Sequence, residues 1–475
     1  MNKILAFLIL LLAAMPLAQA QTLDEYLLTA GENNPTLKAR YAEYEAALQK
    51  VPQVGALPDP EANFNFFLKP MERYMGNQVG DVSVMQMFPW FGSLGAAKDE
   101  AHSMAQMKFS SFIEAKINLY HDVRTAWYQL YQIDQESELM EKELQIMQTL
   151  ERLALAKYKA APAGGSSSSA GTPARSTTSG TGSSAAAGGS SGMAGMGGSG
   201  SGTPATSSNM SSGASMGGMA STGGNSMVDV MLIRLQVKDL ENRMQLHHDS
   251  RRPLEIKFNN LLHRNPYLPV ASADTLLPAA MPASVSLIQD SIRLNHPMLK
   301  MYTWDEKARE SQLRMAQLMG RPMIGVGLNY MVFQSRMDAM SGEMAGGNMV
   351  MPMVSVSLPI YRKKYNAAKK EAEFAQQAAG YQREATERQL FTELENLLYD
   401  YQSAESRMKL LQEQVALTEQ ALLLLTTNYS VSGTGIEEII RQRQSVLSYR
   451  QELVQAVTNQ NITVSAINRL MQGDN

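Results

Sequence analysis

The chain has 475 residues, no cysteine and a formal net charge of −3, which excludes disulfides, thiolate metal sites and the basic footprint of a nucleic-acid binder. A mean hydropathy of −0.23 excludes a polytopic helical membrane protein. No nucleophile elbow, phosphate loop or HExxH motif occurs and the histidines are scattered, so neither an enzyme nor a cofactor is expected.

Residues 1–20 read as a signal peptide: Lys3, an apolar run from Ile4 to Ala14, and Ala18-Gln19-Ala20 as cleavage site. The run is too short to span a bilayer as a helix. Export beyond the inner membrane, with Gln21 as first mature residue, is the expectation. No Cys follows for a lipid anchor. Thr22 caps a first helix, which Asn34-Pro35 breaks, and a second helix is predicted from Pro35 to Gln49, ending before Pro52. His296-Pro297-Met298-Leu299 repeats Asn34-Pro35-Thr36-Leu37 between predicted helices at Ser286–Leu294 and Met298–Met319.

Strands are predicted at 61–69, 79–88, 323–333 and 349–358. In the third, Ile324, Val326, Leu328, Tyr330 and Val332 alternate with Gly325, Gly327 and Asn329; in the fourth, Val354, Val356 and Leu358 oppose Ser355 and Ser357. Such segments suit a transmembrane β-barrel or a soluble sheet with one wet face. Four strands do not close a channel, so a barrel needs several subunits. Pro89 and Pro359 end the strand pairs beside Phe88, Trp90, Phe91, Ile360 and Tyr361, suited to a membrane interface or to packing at a bend.

A long helix is predicted from about Asn366 to Tyr429. Its seam is Leu390, Leu394, Leu397, Tyr401, Ala404, Met408, Leu411, Val415, Thr418, Leu422, Leu425 and Tyr429, the alternating four-three spacing of a coiled coil. The same spacing recurs at Leu119, Val123, Ala126, Leu130, Ile133, Ser137, Met140, Leu144, Met147, Glu151, Ala154 and Tyr158. The chain is therefore a duplication. The first repeat comprises 21–158 and 228–263, and the second 284–471; 264–283 is a Pro-rich linker. A short turn, Ser430–Gly435, joins the second pair of long helices. The first pair is separated instead by 159–227, rich in Gly, Ser, Ala, Thr and Met, a composition that predicts disorder.

The duplicated helix–strand–strand–long-hairpin unit, the Pro89-Trp90-Phe91-Gly92 strand exit and the Asn428-Tyr429 hairpin turn resemble the TolC-type outer-membrane efflux proteins. The resemblance implies a mainly α fold with a transmembrane β part. As a homotrimer it forms a twelve-stranded barrel on a coiled-coil tunnel in the outer membrane. It also implies a periplasmic adaptor and an inner-membrane resistance-nodulation-division type pump as partners, with no nucleic acid. Residues 69–79 and 334–348 are then extracellular, and 159–227 and 430–435 periplasmic. Tyr429, Gly433, Glu437, Glu438 and Arg441 are the candidate tunnel gate. The alternative is a structural or adhesive coiled-coil envelope protein without channel activity.

Methionine is abundant, 33 residues, and clusters in two places. The insertion carries Met193, Met196, Met210, Met216 and Met219, with Met227 at its edge; the predicted extracellular loop of the second strand pair carries Met337, Met340, Met344 and Met349, continuing to Met351 and Met353. Thioethers are soft ligands for Cu(I) and Ag(I), so the insertion's methionines are candidate metal ligands and the family's heavy-metal branch a candidate assignment. Compositional drift is the bland alternative. Met140, Met147 and Met408 are expected to pack in the helical seams, and His247-His248 to lie on a solvated face.

Overall fold

The computed structural model describes residues 22–73, 76–160, 227–272, 275–334, 347–432 and 435–472. Helices α1 (Leu23–Asn33) and α2 (Pro35–Gly55) come first. Thr22 Oγ1 accepts the Glu25 N–H at 3.5 Å. Asn34 Oδ1 accepts the N–H groups of Thr36 and Leu37 at 2.9 and 3.3 Å. Pro35 starts α2, where its missing N–H costs nothing. Against expectation, α2 runs through Pro52 to Gly55. The proline removes one backbone bond, but only the last turn lies beyond it.

Strands β1 (Glu61–Arg73) and β2 (Gly76–Phe88) precede the helical hairpin α3 (Ser93–Ala160) and α4 (Met227–Leu261). The second repeat supplies α5 (Val285–Asn295), α6 (Pro297–Met319), β3 (Met323–Gln334), β4 (Met349–Ser357), α7 (Arg362–Ser432) and α8 (Ile436–Met471). His296 caps α6 as Asn34 caps α2: its Nδ1 accepts the Met298 N–H at 3.2 Å. Burial, helped by the Arg469 charge, holds the His296 pKa down to about 4. The ring therefore stays neutral and keeps its acceptor at neutral pH.

α3 and α7, of 68 and 71 residues, each run about 100 Å at 1.5 Å per residue. Along most of this length the helices form a layer one helix thick. Near the sheet, α3 packs between α2 and α6, and α6 packs on α7. Farther away, α3 packs between α4 and α8, and α8 packs on α7. Every seam position of α7 is sheltered; in α3 only Tyr158, near the helix end, is exposed. Met140, Met147 and Met408 are buried. The duplication is visible in the cores. Tyr26, Ala30, Leu37, Leu119 and Val123 pack together in one repeat, and Ile288, Ile292, Leu299, Leu390 and Leu394 in the other.

The four strands form one antiparallel sheet in the order β1-β2-β3-β4. β1 continues beyond Lys69 to Arg73, so most of 69–79 is strand and not loop. Lys69-Pro70 looks like a strand end because proline cannot donate. It is tolerated because β1 is an edge strand and its register shifts between Phe66 and Met71. α7 likewise continues to Ser432, which shortens the turn expected at 430–435. Gly435 takes φ +96° before α8, a conformation that favours glycine.

Candidate functional site

The two ends of the molecule carry different chemistry. At the sheet end, burial alternates strictly along β3: Gly325, Gly327, Asn329, Met331 and Phe333 are sheltered, and Ile324, Val326, Leu328, Tyr330 and Val332 are exposed. Cross-strand register extends the exposed apolar face. Leu328 pairs with Val84 and Pro352, and Val326 with Gln86 and Val354. Phe64 pairs with Val82. Val354 is 73% exposed and Phe66 80%. The opposite face carries Asn63, Asn65, Asp81, Ser83, Gly325, Gly327, Asn329, Ser355 and Ser357. A soluble sheet buries its apolar face; this sheet exposes it, as a contiguous row of large apolar side chains.

At the strand-to-helix corners, Phe91 and Tyr361 are more than four-fifths exposed, beside exposed Ile360 and half-exposed Phe88. Gly92 turns the chain with φ +87°. Among the described residues no helix is long and apolar enough to cross a membrane.

The far end is the meeting of the hairpins α3–α4 and α7–α8. Tyr429 is 3% exposed, in a core with Met147, Ala154, Val230, Ile233, Ile436 and Ile439. Burial, with the Asp229 charge, raises its phenol pKa. Its ring does not face open solvent. Lys157 of α3 reaches across to it: Nζ lies 4.3 Å from the Tyr429 ring centre and donates to the carbonyl oxygens of Tyr429 and Ser430 at 2.5 and 3.3 Å. Lys157 thus ties the last turn of α7 to α3, where a cation suits the helix's carbonyl end. Nothing in the sequence spacing singles it out.

Glu437, Glu438 and Arg441 lie on the first turns of α8. Arg441 bonds Glu437 and Glu438 at 3.2 Å each, all on one helix and on its exposed side. Gln442 Nε2 donates to Glu438 Oε1 at 2.9 Å. The three charges come together on the exposed side of α8, whereas Tyr429 is buried. Gly433 lies outside the described residues. So do Met193, Met196, Met210, Met216 and Met219; Met227, half-exposed, starts α4. His248 is exposed and His247 Nδ1 lies 3.6 Å from Glu136 Oε2. Among the described residues no group of His, Asp and Glu has the makings of a metal site.

Residues 288–473 match the family model described as Outer membrane efflux protein. No curated protein sequence matches the chain. Solved structures match it over nearly its whole length. The outer membrane protein VceC of Vibrio cholerae is 15% identical, with 95% of this chain and 97% of that one covered and a TM-score of 0.67. CusC, at 12% identity, covers 95% and 92% with a TM-score of 0.71. The open state of the Neisseria gonorrhoeae MtrE outer membrane channel, at 14%, covers 95% and 89% with a TM-score of 0.67. The chain has the fold of the outer-membrane channels, and over residues 288–473 it is similar to the outer membrane efflux proteins.

Proposed function

We propose that the chain is one subunit of a homotrimeric outer-membrane efflux channel. It passively conducts substrates delivered by a periplasmic adaptor and an inner-membrane resistance-nodulation-division type pump. The observation that carries this reading is the sheet, with branched and aromatic residues on its exposed face and polar residues, glycines and methionines on the other. With both β1 and β4 as edges, lipid would force closure onto neighbouring subunits.

The helices support the same closure. On α7, exposed Phe374, Tyr381, Tyr399, Leu410, Leu417 and Leu424 fall within about 40° of one another at 3.6 residues per turn. They lie opposite the buried seam. On α4, exposed Val228, Met231, Leu235 and Leu246 likewise lie opposite buried Val230, Ile233, Val237 and Leu240. α4 and α7 are the two outer helices of the layer, so each subunit offers a stripe at either edge. A head-to-tail ring covers both. An adhesive coiled-coil protein has no use for the inverted sheet.

Purified protein in planar bilayers should give discrete conductance steps. A protein that inserts but never conducts would leave the structural alternative. The Met-rich insertion we assign to Cu(I) or Ag(I) capture at the tunnel entrance, where several weak soft ligands on one tether raise local metal concentration. Deleting 163–225 should leave trimer formation intact and lower copper or silver tolerance while sparing resistance to organic compounds. Unchanged metal tolerance would reduce the segment to a spacer.

A further inference from the structure

The methionines of the sheet are sorted by face. Met85 and Met87 of β2, Met331 of β3, and Met349, Met351 and Met353 of β4 all fall on the face carrying Gly325 and Asn329. On that face of β2, β3 and β4, from Asp81 to the helical end, every large apolar residue is methionine. The exposed face has Val, Ile, Leu, Phe and Tyr, and no methionine. Random use of methionine as a hydrophobe would scatter it over both faces. A role that needs the sulfur would place it on one.

The geometry gathers sulfur. Ser355 Oγ lies 3.4 Å from Met85 Sδ and 3.8 Å from Met87 Sδ, so one hydroxyl bridges both thioethers. They converge over Gly325: a Cβ there would lie 2.6 Å from Met87 Sδ and 3.4 Å from Met85 Sδ. Gly327, next along the face, pairs with Met85 on one side and Met353 on the other. Gly325 leaves the room that the two thioethers and the Ser355 hydroxyl occupy, and Met353 of β4 stands one pairing along, opposite Gly327.

We propose that Met85, Met87 and Met353 form an all-thioether site for a monovalent soft cation, Cu(I) or Ag(I), on the inner wall of the sheet. Thioethers carry no charge and no exchangeable proton. They discriminate for soft d10 cations and against Zn(II), Mg(II) and Ca(II), which prefer imidazole, thiolate or oxygen donors. The remaining methionines of this face continue the ligand row toward the loop end of β4. A cation would pass along it by ligand exchange, with no step that needs a redox partner. Its part in transport rests on this face lining the proposed channel; cation binding by the three thioethers does not, and it is independent of the insertion.

The test uses full-length trimer lacking only 163–225, so that the insertion's methionines are absent. Ag(I) titration in chloride-free buffer should still show binding. Combined Met85→Leu, Met87→Leu and Met353→Leu, nearly volume-conserving, should weaken it at least about tenfold while conductance for potassium stays unchanged. If the triple variant does not assemble, Met87→Leu and Met353→Leu singly should each weaken binding. Undiminished Ag(I) affinity in the variants, or no Ag(I) binding in the deletion protein, overturns the site whether or not the protein conducts. Ag(I) binding in a protein that never conducts overturns the channel reading and leaves the site standing.

Discussion

Val84→Arg is expected to abolish assembly in the outer membrane, and Ser83→Arg, one residue away, to preserve it. The two side chains leave β2 on opposite faces. Val84 pairs with Leu328 and Ala62 on the exposed apolar face, and Ser83 with Asn329 and Asn63 on the other. An arginine facing lipid near the midplane of a barrel costs about 2–4 kcal/mol. Three subunits triple the burden, and whole-protein stabilities are only of order 5–15 kcal/mol. An arginine facing water in the lumen costs little and should shift ion preference. Outer-membrane trimer, quantified by fractionation and by resistance to dissociation, reads the difference. If the face were covered by another protein partner in solution, Val84→Arg would leave a soluble, folded monomer. That result would remove the membrane reading.

The parts legible in the sequence are those with a strict period. The α7 seam carries large apolar residues at alternating four- and three-residue steps. Leu390, Leu394, Met408, Leu411, Leu422 and Tyr429 are indeed buried within a single subunit. The β3 faces were readable because glycine and asparagine alternate with branched residues, and only one register puts both sets on opposite sides. What stayed hidden depends on partners far apart in the chain. Ser355 lies 270 residues from Met85, and Lys157 lies 272 from Tyr429. Met351 and Met353 read as a continuation of a Met-rich loop until pairing with Asn329 and Gly327 assigns their face. Proline was misleading twice, at Pro52 and Pro70. The rule that proline ends an element weakens at a last helical turn and on a sheet edge.

Lys157→Ala is expected to raise single-channel conductance, because it cuts the tie between the two hairpin ends, where the proposed channel has its entrance. The lysine donates to two carbonyl oxygens at the end of α7 and stands over the Tyr429 ring. Charged hydrogen bonds are worth about 1.5–3 kcal/mol when well made, and a cation over an aromatic ring adds roughly 0.5–1 kcal/mol at a partly exposed site. If opening breaks this tie, losing both shifts the closed–open balance by a factor of about ten or more, since about 1.4 kcal/mol is tenfold. The rest of the hairpin contact is apolar and persists, with Ile436 and Ile439 buried against Met147 and Ala154. The tip should therefore loosen without unfolding. Lys157→Arg keeps a cation within reach and should restore the wild-type level; Tyr429→Phe keeps the ring and both backbone carbonyls and should change little. Glu437, Glu438 and Arg441 offer the contrast. They pair with each other on one exposed helical face, where such pairs contribute about 0–1 kcal/mol. The double variant Glu437→Gln/Glu438→Gln, and Arg441→Ala, should therefore alter cation–anion preference more than the open fraction. Conductance histograms and reversal potentials from the same bilayers separate the two effects. Lys157→Ala traces that match wild type in both would show that the α3–α7 tie bears no part of the closed state, and would leave the entrance to contacts between subunits.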